Sequence, residues 1–317
     1  MPNFIFSNLI GSFVFDENCN LIEQSLFKDI EQYKDKEKYE EKLVQKHKDA
    51  LEPKGKVLQN ILQFFKNKTY FTEFHAKNLE ITKKAIKGSV KDDLLIIQAI
   101  NSIDELDKSI NLLVKRLREW YSLYNPEISY EFPDHEKFVA AITKNSKSQL
   151  LKDLKINESD SIGAELKNKD ISAINSLASE VDGLFKIRKN CENYLEQLES
   201  ETCPNLTAIL GTTMAAKMIE HAGSMKRLAE MPASTIQILG AEKALFRHLT
   251  NKKNLPPKHG ILHEHQLIQK SKREMHGKIA RALADKASIA VRIDYFKGKF
   301  IGDKLKKGLV DKFKIQY

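Results

Sequence analysis

A glycine followed at once by strong helix formers, Gly240-Ala241-Glu242-Lys243-Ala244-Leu245-Phe246-Arg247, is the stretch whose residue types and spacing offer the most definite chemistry. Glycine permits the turn, and the residues after it favour a helix whose first turn leaves backbone N–H groups free. Such an end carries partial positive charge and attracts phosphate. Lys243 and Arg247 lie about one helical turn apart, so they share a face and set two cations beside that end. An ordinary helix with a solvated Lys and Arg has the same pattern, and spacing alone leaves both readings open. Glu242 is expected to cap or orient, because a carboxylate facing a polyanion repels it. Phe246 is expected to anchor in the core.

Other chemistry is sparse. His259, His263, Glu264 and His265 form the one dense cluster of possible metal ligands in the sequence. A zinc site needs about four ligands in workable geometry, and neither Cys-x-x-Cys nor a second histidine cluster accompanies these, so no metal is expected. There is no Gly-x-x-x-x-Gly-Lys loop, no Gly-x-Ser-x-Gly elbow and no dinucleotide fingerprint, so neither a cofactor nor a catalytic role is expected. A binding protein is the better reading. Charge says what it binds: residues 203–317 hold 22 Lys+Arg against 9 Asp+Glu, a balance of +13, whereas residues 1–202 balance at −4. Such asymmetry points to a nucleic-acid partner for the C-terminal third.

The elements that must position these residues are mostly helical. At 317 residues with 41% hydrophobic and 30% charged residues, the chain predicts two or three structural units. Three scattered cysteines, Cys19, Cys191 and Cys203, suggest no disulfide framework, the start lacks a secretory pattern, and no apolar run approaches the roughly 20 residues that span a bilayer, so a cytoplasmic setting is expected. Asn3 to Phe15 is aromatic and β-branched, followed by the turn formers Asp16 to Asn20; this predicts two strands joined by a tight turn. Glu23 to Leu51 reads as an exposed helical region laced with ion pairs, and Phe64, Phe65, Tyr70, Phe71 and Phe74 read as core.

Two heptad-like seams follow. Ile96, Ile100, Ile103, Leu106, Ile110, Leu113, Leu117 and Trp120 define one, with Asp104, Glu105, Lys108, Lys115, Arg116 and Arg118 on its polar face. Ile171, Ile174, Leu177, Val181, Leu184, Arg188, Cys191, Leu195 and Leu198 define the other. They would pair as an antiparallel coiled-coil hairpin around an insert that is helical near Glu136–Ile142 and Gln149–Leu154. From Pro204 the pattern is of short packed helices broken at Gly211 and Gly223, then a helix from Lys278 to Asp294 and a lysine-rich tail from Lys297 to Tyr317. That tail is either an RNA-contacting strip or a solvated end.

The wording of the C-terminal third resembles the Nop-domain family. Met231-Pro232-Ala233-Ser234-Thr235 before the Gly240–Arg247 stretch, Pro257-Lys258-His259-Gly260, and Gly277-Lys278-Ile279-Ala280-Arg281-Ala282-Leu283 carry the likeness. Arg116–Glu119, Trp120-Tyr121 and Tyr124–Glu127 resemble the family's wording at the end of its first coil helix. The resemblance is to the archaeal form and covers most of the chain. It implies a core scaffold of box C/D guide-RNA particles with three parts. These are a small α/β domain over 1–85 that docks the methyltransferase fibrillarin, a coiled-coil hairpin over 86–202 that pairs two copies, and an all-helical Nop domain over 203–317. The last would grip guide RNA together with a kink-turn-binding ribosomal-type protein. The RNA-binding residues it implies are Gly240, Ala241, Glu242, Lys243, Arg247, Lys258, His259 and Gly260, with Lys278 and Arg281 beside them. His259 would stack on a base or donate to phosphate. Methylation itself would fall to the partner. The family's splicing-factor branch, a helical protein-binding adaptor without RNA contact, and an enzyme are the alternatives.

Overall fold

The structure, a computed structural model, describes residues 2–47 and 50–314, with Ile30 described by its backbone alone. Two compact units divide the chain, Met1–Lys91 and Asp92–Tyr317.

In the first unit, β1 (Asn3–Ser7), β2 (Gly11–Phe15), β3 (Leu21–Leu26) and a short β4 (Ala50–Leu51) form one sheet in the order β3-β2-β1-β4, with β4 parallel to β1 and the other pairs antiparallel. Polar side chains close both turns. The Asn8 carboxamide accepts the Ile10 N–H at 2.9 Å, and the Asp16 carboxylate accepts the Asn20 N–H at 2.7 Å. The expected strand pair is therefore a three-stranded meander with a fourth strand added. The charged run expected to be helical from Glu23 begins instead as β3, because Phe13 and Val14 of β2 need backbone partners and find them in Gln24 and Glu23. Pairing with β2 overrides local propensity there. After β3 come α1 (Ile30–Lys34), α2 (Lys36–Lys46), α3 (Gly55–Phe64) and α4 (Lys68–Ser89). Phe13, Phe15 and Ile61 are fully buried, and Phe64, Phe65, Tyr70 and Phe74 pack against them. Phe71 departs from the core expectation: it is 56% exposed and stacks on His75 one turn later.

The second unit opens with the hairpin. The helix α5 (Asp92–Tyr121) leads through α6 (Pro126–Glu131), α7 (His135–Lys144) and α8 (Lys147–Asp153) to α9 (Asn168–Thr202). Ile96, Ile100 and Ile103 share a core with Leu195, whereas Ile110, Val114 and Leu117 share one with Ile174, Ala178 and Val181, so α5 and α9 run antiparallel. Between them the Arg188 guanidinium pairs with the Asp107 carboxylate and, at 2.8 Å, with Glu192, which explains the one polar interruption of the second seam. Toward the end of α5 the seam departs from expectation. Burial passes to Val114 and Tyr121 while Trp120 is 37% exposed, because a 3.6-residue helix drifts off a strict 3.5 repeat.

Arg118 also leaves the polar face expected for it. Its guanidinium donates to the carbonyls of Ser129, Phe132, Pro133 and Asp134 and lies 4.3 Å from the Phe138 ring centre, gathering α6 and α7 onto the tip of α5.

Beyond α9 the helices are α10 (Pro204–Leu210), α11 (Thr212–Ala222), α12 (Met225–Glu230), α13 (Ala233–Ile238), α14 (Glu242–Thr250), α15 (Gln266–Gln269), α16 (His276–Tyr295) and α17 (Gly302–Phe313). The centre is α16, which buries residues on nearly every side from Ile279 to Asp294. The Asp294 carboxylate accepts the backbone N–H groups of Asn205 and Leu206 at 3.1 and 2.9 Å, capping the start of α10. Within the lysine-rich tail Gly302–Phe313 is helical, and α17 buries Leu305 and Leu309 in the same core. Residues 315–317 of that tail lie outside the described residues. Among the described residues no helix is long and apolar enough to cross a membrane.

Candidate nucleic-acid interface

The end of α13 and the start of α14 are joined by Gly240, whose φ of +82° is open to glycine at no steric cost. A β-carbon there would also meet the Ile261 side chain at 2.5 Å. The Gly240 N–H donates to Glu242 Oε1 at 2.7 Å, so Glu242 closes the turn and its carboxylate is engaged by backbone. Ala241 precedes α14 and its carbonyl receives the N–H groups of Ala244 and Leu245, both at 3.0 Å. The N–H groups of Glu242 and Lys243 are left at the helix start without an intrahelical acceptor.

A second segment lies directly against this turn. Gly260 and Ile261 donate their N–H groups to the carbonyls of Gln237 and Leu239 at 2.9 and 2.8 Å, and the Gln237 carboxamide donates to the Lys258 carbonyl at 2.7 Å. Gly260 is required by this approach, since a β-carbon would stand 1.8 Å from the Leu239 oxygen. Two motifs some twenty residues apart in sequence thus lie side by side, with Lys258 against Gln237 at the end of α13 and Ile261 against the Gly240 turn.

Lys243, Arg247, Lys258, Lys278 and Arg281 are all exposed, and among the described residues none of them makes a salt bridge. Lys278 and Arg281 project from the first turns of α16, spaced to share a face. His276, the first residue of the same helix, ties its start to the loop before Gly260: the His276 ring centre lies 6.2 Å from that of His259 and 5.8 Å from that of His263, and His259 and His263 stack at 4.5 Å. Burial holds the His259 imidazole below its ordinary pKa, with the facing His263 and His276 rings adding to the effect.

Two expectations change here. Phe246 is not a core anchor: it is 64% exposed, and Leu249, one turn later on α14, is 54% exposed. No residue of α14 is buried, so the helix is held by its half-buried Ala244, Leu245 and His248 side. An exposed ring flanked by cations suits base stacking. The metal-ligand cluster also regroups. His265 turns inward, 3% exposed, with Nε2 3.1 Å from the Ile209 carbonyl and Nδ1 accepting the Leu267 N–H. In its place His276 joins His259 and His263. The sequence hid this because His276 stands in a different segment, just ahead of Gly277-Lys278.

Residues 102–315 match the Nop family, described as "snoRNA binding domain, fibrillarin". A NOP5 family protein of Methanocaldococcus jannaschii is 46% identical over 260 residues, 77% of this chain and 62% of that protein. Nucleolar protein 56 of Schizosaccharomyces pombe is 39% identical over 65% of this chain and 45% of its own length, and nucleolar protein 58 of Coccidioides immitis is 38% identical over 64% and 36%. The chain thus spans less than two thirds of the length of each of these relatives. A solved fibrillarin/Nop5p complex contains a chain that covers 98% of this one, at 22% identity and a TM-score of 0.46.

Proposed function

The chain belongs to the Nop family, and from that membership we propose that it is a non-catalytic scaffold of a box C/D guide-RNA particle, acting in the cytoplasm in RNA-guided 2'-O-methylation of ribosomal or transfer RNA. In this proposal the segment 1–85 docks a fibrillarin-type methyltransferase, the hairpin over 86–202 pairs two copies, and the segment 203–317 grips guide RNA already bound by a kink-turn protein. The observation that carries it is the side-by-side placement of Gly240–Arg247 and Lys258–Gly260, whose cations lack acidic partners among the described residues. RNA would be read there through backbone and shape, with phosphate at the start of α14 and on Lys243, Arg247 and Lys258.

A gel-shift titration with a box C/D kink-turn RNA, with and without the kink-turn protein, tests this. The expected result is binding to the RNA–protein complex that weakens at least tenfold in Lys243→Ala/Arg247→Ala. If the chain ignores both forms of RNA at low salt, the scaffold proposal fails and a helical adaptor without RNA contact becomes the better account.

A further inference from the structure

Three imidazoles from three segments converge at one point of the second unit: His259 from the loop before Gly260, His263 from the short 3-10 turn Ile261–Glu264, and His276 from the first residue of α16. Each offers one ring nitrogen, and these nitrogens all lie within 4.8 Å of one another. None of the three rings has a carboxylate partner among the described residues, so no ion pair accounts for the gathering. We propose that His259, His263 and His276 bind a divalent transition metal, zinc being the best fit.

The chemistry of the donors favours this. Neutral imidazole suits zinc, and three imidazoles with water as the fourth ligand complete a tetrahedral site. Zn–N bonds of about 2.0–2.1 Å place tetrahedral ligands about 3.3 Å apart, so nitrogens now within 4.8 Å have to close by at most about 1.5 Å. Half-buried rings can make that adjustment by side-chain rotation. A neighbouring carbonyl prepares one of the three ligands. His276 Nε2 lies 3.2 Å from the Ser271 carbonyl, which fixes the proton on Nε2 and leaves the Nδ1 lone pair for a metal. His263 is held in place by Gln269, whose amide donates to the His263 carbonyl at 2.7 Å; the same amide nitrogen lies 3.3 Å from Nδ1, a contact that metal binding through Nε2 has to break, because Nδ1 then carries the proton. The fourth position is open to water.

Such a site would fasten the loop before Gly260 to the start of α16. Its existence does not rest on the RNA proposal, and its test uses the free protein. Chelator-treated protein is titrated with Zn2+ by calorimetry and with Co2+ by visible absorption. The expected result is one ion per chain, the d–d absorption of tetrahedral cobalt, and a rise in Tm on adding Zn2+. Affinity should fall at least tenfold in His263→Phe and in His276→Ala, and should be unchanged in His221→Ala, whose ring lies elsewhere beside Glu220. X-ray absorption of the zinc-loaded wild type keeps the test independent of variant folding: three imidazole nitrogens at about 2.0–2.1 Å are expected. Failure to bind either metal at micromolar concentration, binding that ignores both variants, or fewer than three imidazoles on the ion would overturn the proposal.

Discussion

Glu199 is a carboxylate with no exposed surface, near the end of α9, where Thr207 donates to one of its oxygens at 3.0 Å. Burial pushes its pKa up to about 8 from 4.5. The folded protein therefore binds a proton that the unfolded chain releases, so stability falls as pH rises from 4.5 toward 8 and levels off above, by at most about 1.4 kcal/mol per pH unit. Glu199→Gln keeps the shape and removes the ionisation. The variant should match the wild type near pH 5 and exceed it at pH 9 by on the order of 2 kcal/mol, measured by denaturant unfolding. Equal stability at pH 9 would show that Glu199 is charged and solvated. His265 slopes the other way: burial lowers its pKa, so its contribution is present above about 6.5 and lost as pH falls below it. The sequence offers no sign of either residue's burial, since both stand among polar neighbours. The same blindness misplaced Phe246, because an apolar residue in a helical run reads as core wherever its helix packs. What could be read were Gly240 and Glu242, whose roles follow from local backbone chemistry.

At the scale of elements, α5 and α9 could be read from apolar periodicity, as a helix seam depends on spacing alone. Two features could not. The first is that Ile96, Ile100 and Ile103 belong to the core that also holds Leu206 through Leu309, while the remainder of the seam serves a separate core at the tip. The second is Arg118, which spacing assigns to solvent and the fold assigns to four carbonyls and a ring. Arg118→Ala would leave those carbonyls short of a donor and remove the cation from Phe138. A loss of about 2 kcal/mol is expected, with hydrogen exchange accelerated in α6 and α7 and unaltered in α14. Unchanged exchange in α6 would mean that apolar packing alone holds the tip. Since the hairpin consumes its own seam, pairing of two copies would have to use residues outside it, such as Leu112 and Ile187, which are 70% and 51% exposed. If the hairpin pairs copies there, Leu112→Asp/Ile187→Asp should convert a dimer to a monomer in light scattering. A wild-type monomer at micromolar concentration would remove that part of the proposal.

For the whole molecule the informative quantity is where charge resides. A balance of −4 over residues 1–202 and +13 over residues 203–317 was legible in composition, and the fold adds that Lys243, Arg247, Lys258, Lys278 and Arg281 remain exposed after folding. Cations already engaged by carboxylates would release few RNA counterions on binding, whereas unpaired ones release close to their full share. If all five meet phosphate, the logarithm of the RNA association constant should fall with the logarithm of salt at a slope of about −3.5 to −4.5. Lys243→Ala/Arg247→Ala should reduce that slope by about 1.4–1.8 and weaken binding nearly uniformly across guide sequences. Fluorescence anisotropy over a salt series reads both quantities. A double variant that loses affinity at unchanged slope would place the two side chains on base edges, and one that changes neither would move the RNA away from α14 altogether.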